Sequence, residues 1–168
     1  GGRVEVGRAR DAVFGLVLMN DWSARDIQRW EYVPLGPFGG KNFATTISPW
    51  VVGLDALTMF EVDAGAQDPV PAVYLGGGVI PRRTFDIELT VALRTARGRA
   101  AGAKPTVVCR SNFRHLYWTI EQMIAHHTLT GCNLRPGDLL GTGTISGPDA
   151  SERGSMLELS WGGKEDVR

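Results

Sequence analysis

The sequence predicts an α+β fold: a β-rich domain with a mixed sheet or β-roll and one long amphipathic helix. Three observations lead there. Apolar runs of strand length recur along the chain, whereas a sustained 3.6-residue stripe occurs once, between Phe113 and Thr130. With 22 Gly and 9 Pro in 168 residues, glycine stands at about 13%, nearly twice its usual share of roughly 7%, so turns are frequent. Helical and strand patterns do not alternate as successive βαβ units require.

Val13 to Met19 (VFGLVLM) is a continuous apolar run, too short for a helix, and fits a strand buried on both faces. It leads into Asn20 and Asp21. Ser23 is placed to cap a helix over about residues 24–31, with Asp26 completing a capping box and Trp22 stapled to Ile27. Pro34 to Gly40 (PLGPFGG) then reads as an irregular loop with Lys41 at its exit. Thr45 to Leu54 reads as strand interrupted by Pro49, and loop follows through Gly76, Gly77 and Gly78. Phe85 to Leu93 alternates, with Phe85, Ile87, Leu89 and Val91 on one face, as a half-buried strand does. Arg97-Gly98-Arg99 predicts a hairpin turn into a strand from Thr106 to Cys109. The helical stripe runs through positions 113, 116, 117, 120, 123, 124 and 127, and Gly131 closes it. Arg135 to Asp138 supplies a turn, Leu139-Leu140 a short strand, and Gly141 to Thr144 a glycine-rich bend. Met156 to Trp161 alternates again, which predicts a strand with Glu158 turned away from its apolar face.

The chain is a single domain by length. Lys and Arg number 18, as do Asp and Glu, so the net charge is zero and gives no electrostatic reason to expect nucleic acid or an anionic membrane as partner. No apolar run approaches the roughly 18 residues of a membrane span, and Gly1, Gly2 and Arg3 open no apolar signal segment. A cytoplasmic location is the expectation. Cys109 and Cys132 lack metal-ligand spacing and are expected to be buried thiols. The missing initiator Met and the charged run at Lys164, Glu165 and Asp166 lead to the expectation that both ends are cut from a longer protein.

The densest polar constellation is Asp21, Arg25, Gln28, Tyr32 and Lys41. On a helix starting near residue 24, Arg25, Gln28 and Tyr32 share one face. Such donors converging on a cavity suit an anionic, oxygen-rich substrate whose carbonyl oxygens gain charge during reaction. The same residues also fit the solvated face of an amphipathic helix. The glycine-rich loop does not match a phosphate-binding loop, since Leu35 stands where a glycine and Asn42 where a hydroxyl is needed. His127 falls on the helical stripe with no carboxylate at i+3 or i+4, so a packed histidine is expected, with His126 beside it. Thr142 and Thr144 can present hydroxyls to a ligand or satisfy the turn.

Three segments carry a resemblance: Leu18 to Val52 (LMNDWSARDIQRWEYVPLGPFGGKNFATTISPWVV), Ser111 to Pro148 (SNFRHLYWTIEQMIAHHTLTGCNLRPGDLLGTGTISGP) and Gly154 to Trp161 (GSMLELSW). In motif, order and spacing they resemble the fumarylacetoacetate hydrolase family, from about residue 13 onward. The resemblance implies a catalytic β-roll and hydrolysis of a C–C bond in a β-diketo acid, giving fumarate and acetoacetate in tyrosine and phenylalanine catabolism. It also implies a cytoplasmic homodimer using Ca²⁺ or Mg²⁺. By the same resemblance Asp21 is a metal-ligating aspartate, Lys41 and Thr45 lie near a Mg²⁺ site, and Arg25, Gln28 and Lys41 stabilise charge on oxygen. Tyr32 and Thr144, with Gln28, match substrate contacts. Glu158 resembles a glutamate that orients the general-base histidine.

Departures accompany the matches. The family's general-base histidine and its three further metal carboxylates, including a Glu-x-Glu pair, precede the matched segments and are not identifiable here. Asp86 and Glu88 have the pair spacing but follow Lys41 instead of preceding it. A partial catalytic domain, spanning residues 1–168 without its N-terminal domain and flanking ends, is therefore expected. Two other readings stay open: a related acylpyruvate or 2-oxo-acid hydrolase or hydratase, and a catalytically incomplete dimerisation or binding module.

Overall fold

A computed structural model describes residues 2–77 and 81–167. Gly78, the end of one expected loop, lies outside the described residues. After a 3-10 segment at Val6–Ala12 come β1 (Gly15–Leu16), β2 (Met19–Asp21), α1 (Arg25–Glu31), α2 (Gly39–Asn42), β3 (Thr45–Ile47), β4 (Val52–Gly53) and α3 (Leu54–Leu57). Then follow β5 (Glu61–Asp63), β6 (Arg83–Phe85), β7 (Glu88–Leu93), α4 (Ala96–Ala100), β8 (Thr106–Asn112), α5 (Ile120–Thr128) and α6 (Met156–Leu159). The class is α+β as expected, but among the described residues the strands form four two-stranded antiparallel sheets and no closed barrel.

Two of these ladders are successive stretches of one pairing. β1 runs against β4 and β2 against β3, so residues 15–21 lie antiparallel to 45–53, with α1, the loop and α2 filling the connection. The run Val13 to Met19 is thus two short strands split at Val17-Leu18, and it is not buried on both faces: Phe14 is 83% exposed and Leu18 64%. Pro49 separates β3 from β4, as its missing N–H requires. The alternating run Phe85 to Leu93 divides into the end of β6 and all of β7, and β7 pairs with β8 through a shift between Val91 and Ala92. Arg97-Gly98-Arg99 forms part of α4, one helical turn capped by Thr95, in place of a tight turn.

The long helix is shorter than its stripe. Phe113–His115 is a 3-10 turn, residues 116–119 leave the helical path, and α5 spans 9 residues. The reason is local: Thr119 caps α5 while the Gln122 side chain returns to the Thr119 N–H at 3.1 Å. This capping box starts the helix at residue 120 and overrides the apolar periodicity before it. Gly131, at φ 84°, turns the chain just past the helix. Met156 to Trp161 is likewise not a strand, because Ser155 Oγ accepts the Glu158 N–H and caps α6. No strand forms at Leu139-Leu140. Cys109 is buried as expected, but Cys132 is exposed, and so are His126 and His127.

The apolar core joins Leu57, Phe85 and Phe113, with Leu16, Leu54, Ile87, Leu89, Leu116, Ile120 and Ile145 against it. Phe85 and Phe113 meet edge to face at 5.9 Å. Under α5 the packing is polar: Gln122, 2% exposed, exchanges amide hydrogen bonds with Gln67 at 2.9 and 3.0 Å and donates to the Leu75 carbonyl at 3.0 Å. Gln67 also donates to the Tyr117 carbonyl. The total accessible surface, 12075 Å², is about half as large again as the roughly 8,000 Å² of a folded 18.2 kDa monomer. Trp30, Leu35 and Trp50 are among the apolar side chains left uncovered. Among the described residues, no helix is long and apolar enough to cross a membrane.

Gln122→Ala strands the Gln67 amide and the Thr119 N–H in a buried setting. Denaturant unfolding is expected to show a loss of about 1–3 kcal/mol, while a loss within measurement error would remove the network from the stability of α5.

Candidate active site

β2 ends at Asp21 and β3 begins at Thr45, and the ladder sets these two residues opposite each other. Closing that pairing returns Lys41 to Asp21. The Lys41 ammonium donates to Asp21 Oδ2 at 2.6 Å and to Ser23 Oγ at 2.9 Å. An ammonium has three N–H donors, so these two bonds leave one for a ligand. Ser23 donates in turn to the Asp21 carbonyl at 3.0 Å. Its hydroxyl is therefore not the helix cap: Ala24 holds that position, with no side-chain cap. Trp22 sends its indole N–H to Thr46 Oγ1 at 2.9 Å, across the ladder.

On α1, Arg25 Nη1 donates to Gln28 Oε1 at 3.0 Å, so the predicted shared face is real for these two residues. Gln28 is buried at 8% exposure; Tyr32 caps the helix C-terminus and is 59% exposed. α1 and α2 touch at Gly40. A Cβ built there would lie 2.8 Å from the Gln28 nitrogen, so only glycine permits this approach, and the Gly40 carbonyl accepts the Ala24 N–H at 2.9 Å. Glu31, at the end of α1, accepts three consecutive backbone N–H groups: Phe38 at 2.6 Å, Gly39 at 3.0 Å and Gly40 at 2.7 Å. The Gly40 amide above all, with Phe38 and Gly39, holds the Glu31 carboxyl below its ordinary value of 4.5, against an opposing desolvation.

A second polar group surrounds α6. Glu158 accepts hydroxyls from Ser155 at 2.7 Å and Ser146 at 3.0 Å. Thr144 lies against Gly154, whose N–H donates to Ser146 Oγ. Nearby, His115 and Glu152 are 3.2 Å apart; the Asp149 amide first, then His115 and Arg114, hold Glu152 below 4.5 against desolvation. Burial foremost, with Glu158 and Glu152 adding, pushes the Cys109 thiol up. A cavity of about 460 Å³ is lined by Arg153, Leu157, Glu158, Trp161 and Gly162. None of residues 21–45 lines it. The link between the two groups is the stretch 141–146, which starts against β2, where a Gly141 Cβ would meet Met19 Sδ at 3.3 Å, and ends at Glu158.

Asp21, Lys41 and Thr45 therefore come together at the end of the β2–β3 ladder, and Arg25 pairs with Gln28 on α1, whose backbone meets α2 at Gly40, while Glu158 and Thr144 sit in the second group. Asp86 and Glu88 belong to neither. Asp86 takes Asn112 at 2.6 Å and Arg114 at 3.6 Å, and Glu88 takes Arg110 and Thr90, all along the β7–β8 hairpin and its exit. Ser23, Glu31, Ser146 and Ser155 are the contributors that sequence reasoning missed. Ser155-x-x-Glu158 carried a capping signal; Glu31 had none, because its partners are amides seven to nine residues away.

A hard divalent cation takes six or more oxygens. Among the described residues no three His, Cys, Asp or Glu side chains are grouped to hold one, and the Asp21 carboxylate is engaged by Lys41. These residues do not by themselves make a Ca²⁺ or Mg²⁺ site.

The α+β framework agrees with a direct comparison. Residues 1–165 match the family model described as fumarylacetoacetate (FAA) hydrolase C-terminal, and the chain belongs to that family. Three of its relatives share the name fumarylacetoacetase. That of Caenorhabditis elegans is 56% identical over 99% of this chain, that of Rattus norvegicus 57% over 98%, and that of Homo sapiens 54% over 98%. The chain spans about 38% of the length of each.

Gly40→Ala forces α2 away from α1, since the new methyl meets backbone that cannot give way. The expected result is a loss of about 1–3 kcal/mol in unfolding free energy; an unchanged midpoint would mean that the approach is not tight in solution. Glu31 and Glu152 have lower pKa values folded than unfolded, so their stabilisation is complete above 4.5 and is lost as pH falls through their folded values. Urea midpoints should drop between pH 6 and pH 3, and drop less in Glu152→Gln.

Proposed function

We propose that the chain forms part of a hydrolase that splits fumarylacetoacetate, a β-diketo acid, into fumarate and acetoacetate, the step the family supplies in tyrosine and phenylalanine catabolism. The observation that carries the reading is the Lys41 ammonium, held by Asp21 and Ser23 with one N–H left over, next to the point where α2 meets the helix that bears the Arg25–Gln28 pair. The name shared by the relatives supports it. In the reaction, water gives up a proton as its oxygen bonds to the attacked carbonyl carbon, and the adjacent C–C bond then breaks to leave fumarate. The bonding pair leaves with the β-keto acid as an enolate, which takes a proton to become acetoacetate.

Negative charge thus grows first on the carbonyl oxygen and then on the enolate oxygen. Fixed N–H donors favour that charge over the neutral ground state. Lys41 offers its third N–H, Arg25 its guanidinium nitrogens not spent on Gln28, and Gln28 its amide nitrogen, because Arg25 already occupies the amide oxygen. Tyr32 and Thr144 are proposed substrate contacts. Glu158, fixed by two serine hydroxyls, is proposed to orient the base. For Ca²⁺ or Mg²⁺, Asp21 is the proposed ligand from this chain, with Thr45 and Lys41 beside it. A cytoplasmic homodimer is also proposed, and the apolar side chains left uncovered around residues 14–52 support association.

The test mixes the chain with fumarylacetoacetate or an acylpyruvate, with Ca²⁺ or Mg²⁺ present. Loss of diketone absorbance reports turnover, and amide shifts at Arg25, Gln28 and Lys41 report binding. Fumarylacetoacetate should perturb these residues more strongly than the acylpyruvate, and no response to either would overturn the proposal. Where turnover is measured, Lys41→Met should lower kcat on the order of 10²-fold or more, and a near-normal rate would remove Lys41 from the mechanism.

A further inference from the structure

We infer that Glu31 is a positioning residue for Lys41, acting through the backbone of residues 38–40. The inference rests on the proposed function only in that Lys41 matters to a reaction. The segment Pro34 to Gly40 has little means of placing itself: two prolines lack an N–H and three glycines lack a side chain. The four-residue α2 that follows is too short to be stable alone. Its position must come from elsewhere.

Both ends of α1 supply it. At the start, the Ala24 N–H holds the Gly40 carbonyl; at the end, the two oxygens of Glu31 take the N–H groups of Phe38, Gly39 and Gly40. Lys41 is the next residue along the chain. Since α1 also carries Arg25 and Gln28, the same contacts set the spacing between those two donors and the ammonium. The chemistry calls for a carboxylate. Oε1 accepts two of the N–H groups and Oε2 the third, whereas a glutamine presents one acceptor and turns its own NH₂ donors towards backbone donors. An aspartate keeps the charge with one methylene less of reach.

The test exploits composition. The chain has three lysines, Lys41, Lys104 and Lys164, and the last two are exposed. Heteronuclear NMR of the lysine side chains therefore gives a Lys41 signal with two internal controls. In folded Glu31→Gln, the Lys41 signal should move towards those of Lys104 and Lys164, which stay in place, and Glu31→Asp should recover part of the shift. A Lys41 signal unmoved in folded Glu31→Gln overturns the inference, because a role in overall stability alone would lower the melting temperature and leave that signal unchanged. If Glu31→Gln does not fold, hydrogen exchange on the unsubstituted chain decides. Slow exchange at the Phe38, Gly39 and Gly40 amides supports the clamp, and exchange at the rate of an unstructured peptide overturns it. Neither measurement uses substrate. Absent hydrolysis would remove the proposed function and leave Glu31 in its role, whereas an unmoved Lys41 signal would remove that role and leave hydrolysis standing.

Discussion

The approach of α1 to α2 at Gly40 is the constraint on which the Asp21–Lys41 group depends. A backbone contact this close requires glycine, and it is held by hydrogen bonds at both ends of α1. It would have no consequence if Asp21 were elsewhere. The antiparallel pairing of residues 15–21 with 45–53 closes the connection, so that the residue leaving β2 and the lysine approaching β3 arrive side by side. The polar group is thus a product of ladder register and helix contact together. A one-residue slip in β2–β3 would turn Asp21 to the other face.

The rest of the chain supports this unit with two kinds of packing. Around Phe85 and Phe113 the contacts are apolar and tolerant of small shifts in side-chain shape. Beneath α5 they are directional, since Gln122 and Gln67 satisfy each other and two backbone carbonyls in a site closed to water. Such a network admits one arrangement or leaves polar groups unpaired. Between the two polar groups the stretch 141–146 runs from Met19 to Glu158, so the glycine-rich bend connects residues that lie far apart in the chain. The large exposed surface shows how much apolar area these contacts leave uncovered.

Much of this was legible in the sequence where the signal is local. The spacing locates helix α1 within a residue of its bounds and the strand break at Pro49, and the face shared by Arg25 and Gln28 follows from helical spacing alone. Misreadings arose where two local signals competed. At Thr119 and Ser155 a capping side chain outweighed an apolar pattern, because a cap satisfies otherwise orphaned N–H groups while a period spread over six residues constrains little. Ser23 carries the local signature of a cap, but its hydroxyl accepts from Lys41, a partner distant in sequence.

The sequence by itself determined the α+β class, the family and the set of polar residues between Asp21 and Lys41, since each rests on local pattern or on long matched motifs. Tertiary structure alone decided which of those residues meet. The Lys41 contacts depend on strand register, Glu31 acts on amides that carry no side-chain signature, and Glu158 is divided from the Asp21 group by the course of the chain between them. Backbone donors are alike in every residue except proline. No spacing rule can single out the three that a carboxylate will hold until the fold has brought them together.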